Sequence, residues 1–208
     1  MTSLLHISSS PRGDRSYSKA IAGEFIDAYR EKNPAHKIDT IDLWTYDLPI
    51  MDNATIEAKY AVLRKLNQTA EQAKAWSLIT QEANLLASYD KLLFSVPMWN
   101  WSIPFVLKRF IDVVTQPGLL FDWSPSTGYV GRLKKRVAVV YSSSFEYSAG
   151  SAMSDFDHQK SYFEHWLRIV GCNDVSTMTI EPTASPPDTL VNIQSLARKQ
   201  AREIAYNF

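Results

Sequence analysis

Short apolar runs alternate with segments of helical periodicity along the whole chain. The apolar runs have the length of buried strands and cover residues 4–8, 37–43, 91–96, 136–142 and 175–180. The segments with helical spacing cover residues 18–32, 53–88 with a break near 67–69, 102–114, 157–170 and 186–204. Because parallel strands need crossover connections, this alternation predicts one α/β domain over residues 1–208, a doubly wound five-stranded parallel sheet with helices on both faces.

Two details of this pattern carry expectations of their own. Ser102 precedes the fourth helical segment, and we expect it to cap that helix, with Pro104 in the first turn. Residues 117–135 interrupt the alternation and contain glycines, prolines and the aromatic residues Phe121 and Trp123. A segment of this length without strong periodicity is more often functional than structural, so we expect an exposed, irregular insertion.

Three loops that follow predicted strands are rich in hydroxyl or aromatic side chains. These loops cover residues 9–18, 97–101 and 142–150. Ligands of doubly wound sheets bind over the carboxyl ends of the strands, near the reversal in strand order. We therefore expect the three loops to form one site.

The first loop has the features of a phosphate site. The stretch from Ser8 to Ser18 opens onto a helix, whose first N–H groups and partial positive charge attract anions. Its serines add hydrogen-bond donors, and Arg12 and Arg15 add positive charge. The alternative is that the serines only cap the helix, since serine is a favoured N-cap residue.

The second loop, Pro97-Met98-Trp99-Asn100-Trp101, has the features of a site for a flat heterocycle. Aromatic and thioether groups stack on such rings, and a good aromatic pair contributes roughly 1 kcal/mol beyond burial. The Asn100 amide and the backbone can pair with the edge of the heterocycle. The alternative is that Trp99 and Trp101 fill the core beneath the loop.

Charge and composition argue against several classes of protein. Lys plus Arg and Asp plus Glu number 22 each, which argues against nucleic acid as the main partner. No apolar run approaches the roughly 18 residues of a membrane span, and no signal peptide is evident, so we expect a cytoplasmic protein. Cys172 is the only cysteine and is expected to be a small buried residue.

Missing motifs narrow the chemistry further. No G-x-G-x-x-G follows the first strand and no G-x-x-x-x-G-K-[ST] occurs, which argues against Rossmann dinucleotide and P-loop sites. His6 is expected in the core, and His158 and His165 lack the carboxylate spacing of a zinc site, so we expect no metal. A site rich in rings and poor in acid–base groups favours chemistry done by a cofactor. FMN fits, with one phosphate, one tricycle and no second nucleotide half.

These motifs resemble those of the FMN-dependent NADH:quinone oxidoreductases, also called azoreductases, which have the flavodoxin-like fold. The resemblance covers essentially the whole chain. It is carried by the serine loop, the Pro-Met-aromatic-Asn-aromatic loop with Ile103-Pro104 and Leu107-Lys108 after it, and the Gly118-x-x-Phe121-x-Trp123 segment.

The resemblance implies a set of residues that contact the cofactor. Around the FMN phosphate and ribityl chain, these residues are Ser10, Ser16, Tyr17 and Ser18. Along the isoalloxazine edge, they are Pro97, Met98, Trp99, Asn100 and Trp101. On the other side of the ring, they are Ser142, Ser143, Ser144 and Phe145. The family usually has a Gly-Gly pair where this chain has Ser144 and Phe145. We expect the phenylalanine to narrow the pocket, change substrate choice or weaken flavin binding.

The resemblance also implies a ping-pong reaction. NADH or NADPH passes a hydride to flavin N5, and a quinone or azo compound is then reduced by two electrons. No catalytic side chain is required, and Asn100 assists positioning. The family acts as homodimers in which Phe121, Trp123 and Trp166 match substrate-site positions, Trp166 from the partner subunit. The alternative for Trp166 is core packing in its helix.

Three other functions stay open from the sequence. The first is a one-electron carrier of flavodoxin type, although such carriers tend to be acidic. The second is a hydrolase that uses the loop of Ser142, Ser143 and Ser144, although no G-x-S-x-G motif occurs. The third is a binding module without a cofactor on the same fold.

Overall fold

The computed structural model describes residues 1–208 and contains the five parallel strands that the sequence predicts, together with an antiparallel hairpin. The strands are β1 (Ser3–Ser8), β2 (Lys37–Asp42), β3 (Lys91–Pro97), β4 (Phe121–Ser124), β5 (Gly128–Gly131), β6 (Arg136–Ser142) and β7 (Asp174–Ile180). The helices are α1 (Tyr17–Lys32), α2 (Asn53–Leu63), α3 (Ala70–Ser88), α4 (Phe105–Val114), α5 (His158–Ile169) and α6 (Pro187–Tyr206). Every strand of the large sheet lies within one residue of its predicted bounds.

The order of the parallel strands is β2-β1-β3-β6-β7. The chain first builds outward from β1 to β2 and then returns to place β3 on the other side of β1. The loops after β1 and β3 therefore diverge, and the gap between them is where ligands of doubly wound sheets bind.

Helices cover both faces of the sheet because successive strand residues point to opposite sides. Leu4 and Leu93 belong to a core cluster with α1 and α6. Leu5 and Leu92, their neighbours, belong to the larger cluster with α3, α4 and α5. Continuous apolar strands are thus buried on both faces, which confirms the doubly wound arrangement. None of the helices is both long and apolar enough to span a bilayer.

The prediction that Ser102 caps the fourth helix is wrong. Helix α4 begins at Phe105, after Pro104, and has no side-chain cap. A residue before proline is disfavoured in helical conformation, so Ile103 cannot extend the helix back to Ser102. The backbone of Ser102 instead exchanges hydrogen bonds with Trp99, at 3.0 Å and 2.8 Å.

The prediction of an irregular insertion at residues 117–135 is also wrong in part, because β4 and β5 pair there as an antiparallel hairpin. Strands of four residues are too short to give a clear periodic signal. Gly131 of the hairpin lies directly against the turn after α5. A Cβ at Gly131 would lie 2.1 Å from the backbone nitrogen of Gly171, so this contact needs a glycine.

Candidate functional site

One cleft opens at the carboxyl ends of β1, β3 and β6. Residues from all three predicted loops line it, which confirms that these loops converge, and one further residue follows β7. The lining residues are Ser10, Arg12, Ser16, Tyr17, Pro97, Met98, Trp99, Ser142, Ser143, Ser144 and Thr183. The remaining predicted cofactor residues, Ser18, Asn100, Trp101 and Phe145, are sequence neighbours of this lining.

The N-terminus of α1 lies at one end of the cleft, which we name the phosphate end after the ligand that the sequence predicts there. Ser16 caps this helix, and its hydroxyl accepts a hydrogen bond from the Lys19 N–H at 3.3 Å. The N–H groups of Tyr17 and Ser18 in the first turn have no partner within the protein. Capping and anion binding are therefore compatible, because the cap satisfies one N–H and leaves others directed at a ligand.

Arg12 and Ser10 extend the phosphate end along its rim. The Ser10 hydroxyl accepts a hydrogen bond from the Arg12 N–H at 3.4 Å. The Arg12 guanidinium carbon lies 5.6 Å from the centroid of the Tyr17 ring. A positive side chain, hydroxyl groups and a helix N-terminus together suit a phosphate monoester.

A buried histidine lies in the floor beneath the serine loop. His6 Nε2 is 3.0 Å from Ser95 Oγ, and Nδ1 is 3.4 Å from Thr40 Oγ1. Burial, reinforced by the Lys19 ammonium and opposed by Asp42, lowers the pKa of His6 from 6.5 to about 4. The imidazole is neutral at pH 7 and supports the strands, as the sequence predicts for a core histidine.

A tight turn from Trp99 to Ser102 lies at the other end of the cleft, which we name the ring end after the heterocycle that the sequence predicts there. Within it, Asn100 and Trp101 have φ angles of 45° and 66°. This left-handed region costs a residue with a side chain about 1–2 kcal/mol, although asparagine tolerates it better than most. Trp99 and Trp101 are 37% and 51% exposed, so the alternative that they fill the core is wrong.

Backbone contacts hold this strained turn in place. The Met98 N–H donates to the Ser142 carbonyl at 2.7 Å, which joins the second loop to the third. The His158 N–H, at the start of α5, donates to the Trp101 carbonyl at 3.0 Å. Strained residues persist where the surrounding structure fixes them, and they concentrate at functional sites.

Trp44 belongs to the ring end and was not predicted from the sequence. Its indole N–H donates to the Ser9 carbonyl at 2.9 Å. Its ring centroid lies 5.5 Å from that of Trp99 and 5.2 Å from that of Phe105. A single ring in a polar loop gives no periodic signal, but its place directly after β2 puts it on the same rim.

Residues after β7 and a lysine of α5 hold the third loop in place. The Ser143 hydroxyl lies 2.7 Å from Glu181 Oε2, and Glu181 pairs with Lys160 at 3.2 Å. Thr183, a second residue that the sequence does not predict, donates its N–H to the Ser143 carbonyl at 3.0 Å. Phe145 is exposed and does not line the cleft, so it does not narrow the cleft between the three loops.

The three predicted substrate residues do not line the cleft of this chain. Trp166 is 5% exposed and packs against Phe163, with its indole N–H bonded to Thr115 Oγ1 at 2.8 Å. Phe121 and Trp123 lie on the hairpin, which contacts the C-terminal end of α5 at Gly171. The other end of α5 contacts the ring end, and twelve helical residues separate the two by about 18 Å.

A doubly wound sheet of this order, with an anion cradle after β1 and an aromatic turn after β3, defines a protein of the flavodoxin-like class. The sequence matches the family described as Flavodoxin-like fold over residues 2–204. It is 37% identical to an FMN-dependent NADH:quinone oxidoreductase of Desulfotalea psychrophila, covering 99% of this chain and 97% of that one. It is 38% identical to FMN-dependent NADH:quinone oxidoreductase 3 of Pseudomonas fluorescens, covering 99% and 96%.

A solved structure gives the same result. The azoreductase of Bacillus anthracis str. Sterne superposes with a TM-score of 0.91 at 26% identity, over 100% of both chains. The chain therefore belongs to the flavodoxin-like family of FMN-dependent NADH:quinone oxidoreductases. The fold and the family predicted from the sequence are confirmed.

Proposed function

We propose that this protein is an FMN-dependent NAD(P)H oxidoreductase that reduces quinones or azo compounds by two electrons. The observation that carries the proposal is one cleft with an anion cradle at one end and an exposed aromatic turn at the other. These two ends match the phosphate and the tricycle of FMN, and the relatives named above support that choice.

The cradle residues fix the cofactor by its phosphate. The free N–H groups of Tyr17 and Ser18 would donate to the phosphate oxygens, and the hydroxyls of Ser10 and Ser16 would border them. Recognition by backbone groups needs no rearrangement, because α1 already directs them at the cleft.

The turn residues position the ring. FMN, when bound, supplies the centre that accepts a hydride from NADH or NADPH and delivers it to the acceptor. Met98 and Trp99 would form an apolar wall for the ring, and the Asn100 amide would pair with its edge. Ser142, Ser143, Ser144 and the backbone before Phe145 close the opposite side. Solvent supplies protons, so no side chain acts as a general acid.

We also propose that the site is completed by a second copy of this chain. The substrate-site positions on the hairpin and in α5 lie away from the cleft within one chain. An apolar face beside the ring end is left uncovered, and it includes Trp101 and Phe105, which is 62% exposed. Such an exposed patch is typical of a subunit interface. In a homodimer, Phe121 and Trp123 of one subunit would lie near the cleft of the other.

Two broader expectations accompany this proposal. Residues 1–208 act as one FMN-binding domain, since elements from β1 to the loop after β7 contribute to a single cleft. The cytoplasm is the expected location, because the lone Cys172 is buried and forms no disulfide.

The first test is to incubate the purified protein with FMN, desalt it and record the visible spectrum. We expect about one flavin per chain, and steady NADH oxidation when a quinone is added. Retained flavin without multiple turnover would favour the one-electron carrier. A colourless protein would contradict the proposal and leave the binding module or the hydrolase.

The hydrolase is disfavoured because no histidine is hydrogen-bonded to Ser142, Ser143 or Ser144.

The dimer has its own test. We expect light scattering to give twice the chain mass of 23.6 kDa, and Phe105→Glu to yield monomers with little quinone reductase activity. Val191→Glu, on the exposed face of α6, is the matched control and should stay dimeric. A fully active monomer would show that one chain suffices.

A further inference from the structure

Glu181 lies directly after β7, beside the third loop of the cleft, and its carboxylate is almost fully buried. The side chain is 9% exposed. Its Oε2 lies 2.7 Å from the Ser143 hydroxyl oxygen, and its Oε1 lies 3.2 Å from the Lys160 ammonium. Taking a carboxylate out of water costs free energy, and an ion pair offsets little more than this cost. A buried charge at this place therefore indicates a role besides stability.

The carbonyl groups of the third loop are turned toward the residues after β7. The Ser143 carbonyl accepts hydrogen bonds from the N–H and the hydroxyl of Thr183, at 3.0 Å and 2.9 Å. The Ser144 carbonyl accepts one from the Ala184 N–H at 3.0 Å. Both peptide bonds are trans, so each C=O and the N–H that follows it point in opposite directions. The N–H groups of Ser144 and Phe145 are therefore directed away from β7.

These two N–H groups face the cleft. Strand β6 lies between β3 and β7, so a direction away from β7 points toward the loop after β3 and its aromatic turn. Neither N–H has a partner within the protein, and Ser144 lines the cleft. Two free donors at this wall suit acceptor atoms at the edge of a heterocycle. Because reduction adds electrons to a flavin ring, donors fixed here would bind the reduced form more tightly than the oxidised form.

We propose, on the basis of the flavin site proposed above, that Glu181 is a positioning residue, which holds Ser143 so that the N–H groups of Ser144 and Phe145 meet the ring. The Ser143 hydroxyl oxygen also lies 2.8 Å from the Phe145 carbonyl oxygen, so its side chain closes the turn that contains both donors. Lys160 of α5 keeps the carboxylate in place.

The test compares Glu181→Ala with Glu181→Gln, since both lack the charge and only glutamine keeps a polar group at both contacts. In titrations of the holoprotein with a redox dye, the midpoint potential of Glu181→Ala should lie below that of Glu181→Gln. We expect reduced FMN to lose about tenfold more affinity than oxidised FMN, which corresponds to about 30 mV for two electrons. In calorimetry on the flavin-free protein, oxidised FMN should bind Glu181→Ala about threefold more weakly than Glu181→Gln.

Ser143→Ala breaks the same contact from the other side and shows whether Glu181 acts through it. In this background the difference between alanine and glutamine at position 181 should vanish. Asp174→Asn is the matched control, because Asp174 begins β7 and pairs with Arg136 at 3.1 Å. It lies about 23 Å from Glu181 along the extended strand and should change neither the potential nor the affinity.

Equal potentials and equal FMN affinities in the two Glu181 variants would overturn the inference, and so would a difference that persists with Ser143→Ala. If Glu181→Ala does not fold, Ser143→Ala and Ser143→Thr test the same contact, since only threonine keeps the hydroxyl. The threonine variant should then have the higher potential, and equal potentials would overturn the inference. A wild-type protein that binds no FMN would instead overturn the proposed function.

Discussion

The two ends of the cleft are built on opposite principles. The phosphate end uses regular structure, a capped helix whose first N–H groups have no partner within the protein, with Ser16 in an ordinary extended conformation. The ring end uses a turn in which Asn100 and Trp101 are both left-handed and large aromatic side chains are exposed. One end thus relies on backbone groups that the fold provides, and the other on side chains held at a conformational cost.

This difference separates two contributions to flavin affinity. In the proposed complex with FMN, the phosphate end recognises a charge, so its contribution is electrostatic and is absent for riboflavin, which lacks the phosphate. The ring end recognises a flat apolar surface, so its contribution is the same for FMN and riboflavin. Comparing the two ligands in variants of each end therefore tests the division directly.

Ser10→Asp should have the largest effect. A carboxylate about 5 Å from a phosphate costs about 3 kcal/mol per unit of phosphate charge at an effective dielectric constant of 20, and the phosphate carries nearly two charges. We expect FMN affinity to fall by about a thousandfold or more and riboflavin affinity to change little, as measured by calorimetry. Ser10→Asn has the same size without the charge and should lose far less. Equal losses for both ligands would show that the phosphate lies elsewhere.

Protonation of His6, beneath the serine loop, should make the free energy of unfolding depend on pH. The pKa of His6 is about 4 in the native state and 6.5 in the unfolded chain, so between these values the unfolded state binds the proton and the native state does not. This contribution is fully present above pH 6.5 and is lost as the pH falls toward 4. We expect a loss of about 3 kcal/mol in the free energy of unfolding across that window.

Urea unfolding at several pH values measures this loss. His6→Gln removes the titrating group, so its stability should fall less over the same window. Parallel curves for the two proteins would assign the acid sensitivity to other groups.

Trp99→Ala tests the ring end. Removing one stacking partner and its buried surface costs about 1.5 kcal/mol, so both FMN and riboflavin should bind about tenfold more weakly. Tyr206→Ala, at the C-terminal end of α6, is the control for loss of an exposed aromatic ring and should leave both affinities unchanged. A loss confined to FMN would contradict the assignment of this turn to the ring.

The fold was predictable because the same signal repeats through the chain. The run at residues 91–96 is apolar at four of its five buried positions, and the structure forms β3 there, with one core cluster on each side. The hairpin was not predictable, because four-residue strands carry too few positions to show a period of two. Its contact with Gly171 could not be predicted either, because it is a tertiary contact that depends on the packing of α5.

The site was predictable to a different degree at each end. The serine loop follows local rules, so Ser16 as cap and α1 as anion cradle could be inferred from sequence order alone. Trp44 and Thr183 could not, because strand order places the ends of β2 and β7 beside the central loops, which brings Trp44 against Trp99 and Thr183 into the cleft. The conformation of Trp101 depends on the hydrogen bond between its carbonyl and the N–H of His158 in α5, more than fifty residues later in the chain.

Two replacements of Asn100 separate conformational cost from chemistry at the ring end. Glycine adopts the left-handed φ of 45° freely, whereas alanine does not, so Asn100→Ala should be about 1 kcal/mol less stable than Asn100→Gly in urea unfolding. Both variants lose the amide, so both should slow the bleaching of bound flavin by NADH about threefold in stopped-flow absorbance. If only Asn100→Ala is slow, the turn conformation sets the rate and the amide does not. If both keep the wild-type rate, Asn100 serves the turn alone, and the ring end positions the flavin through its aromatic side chains.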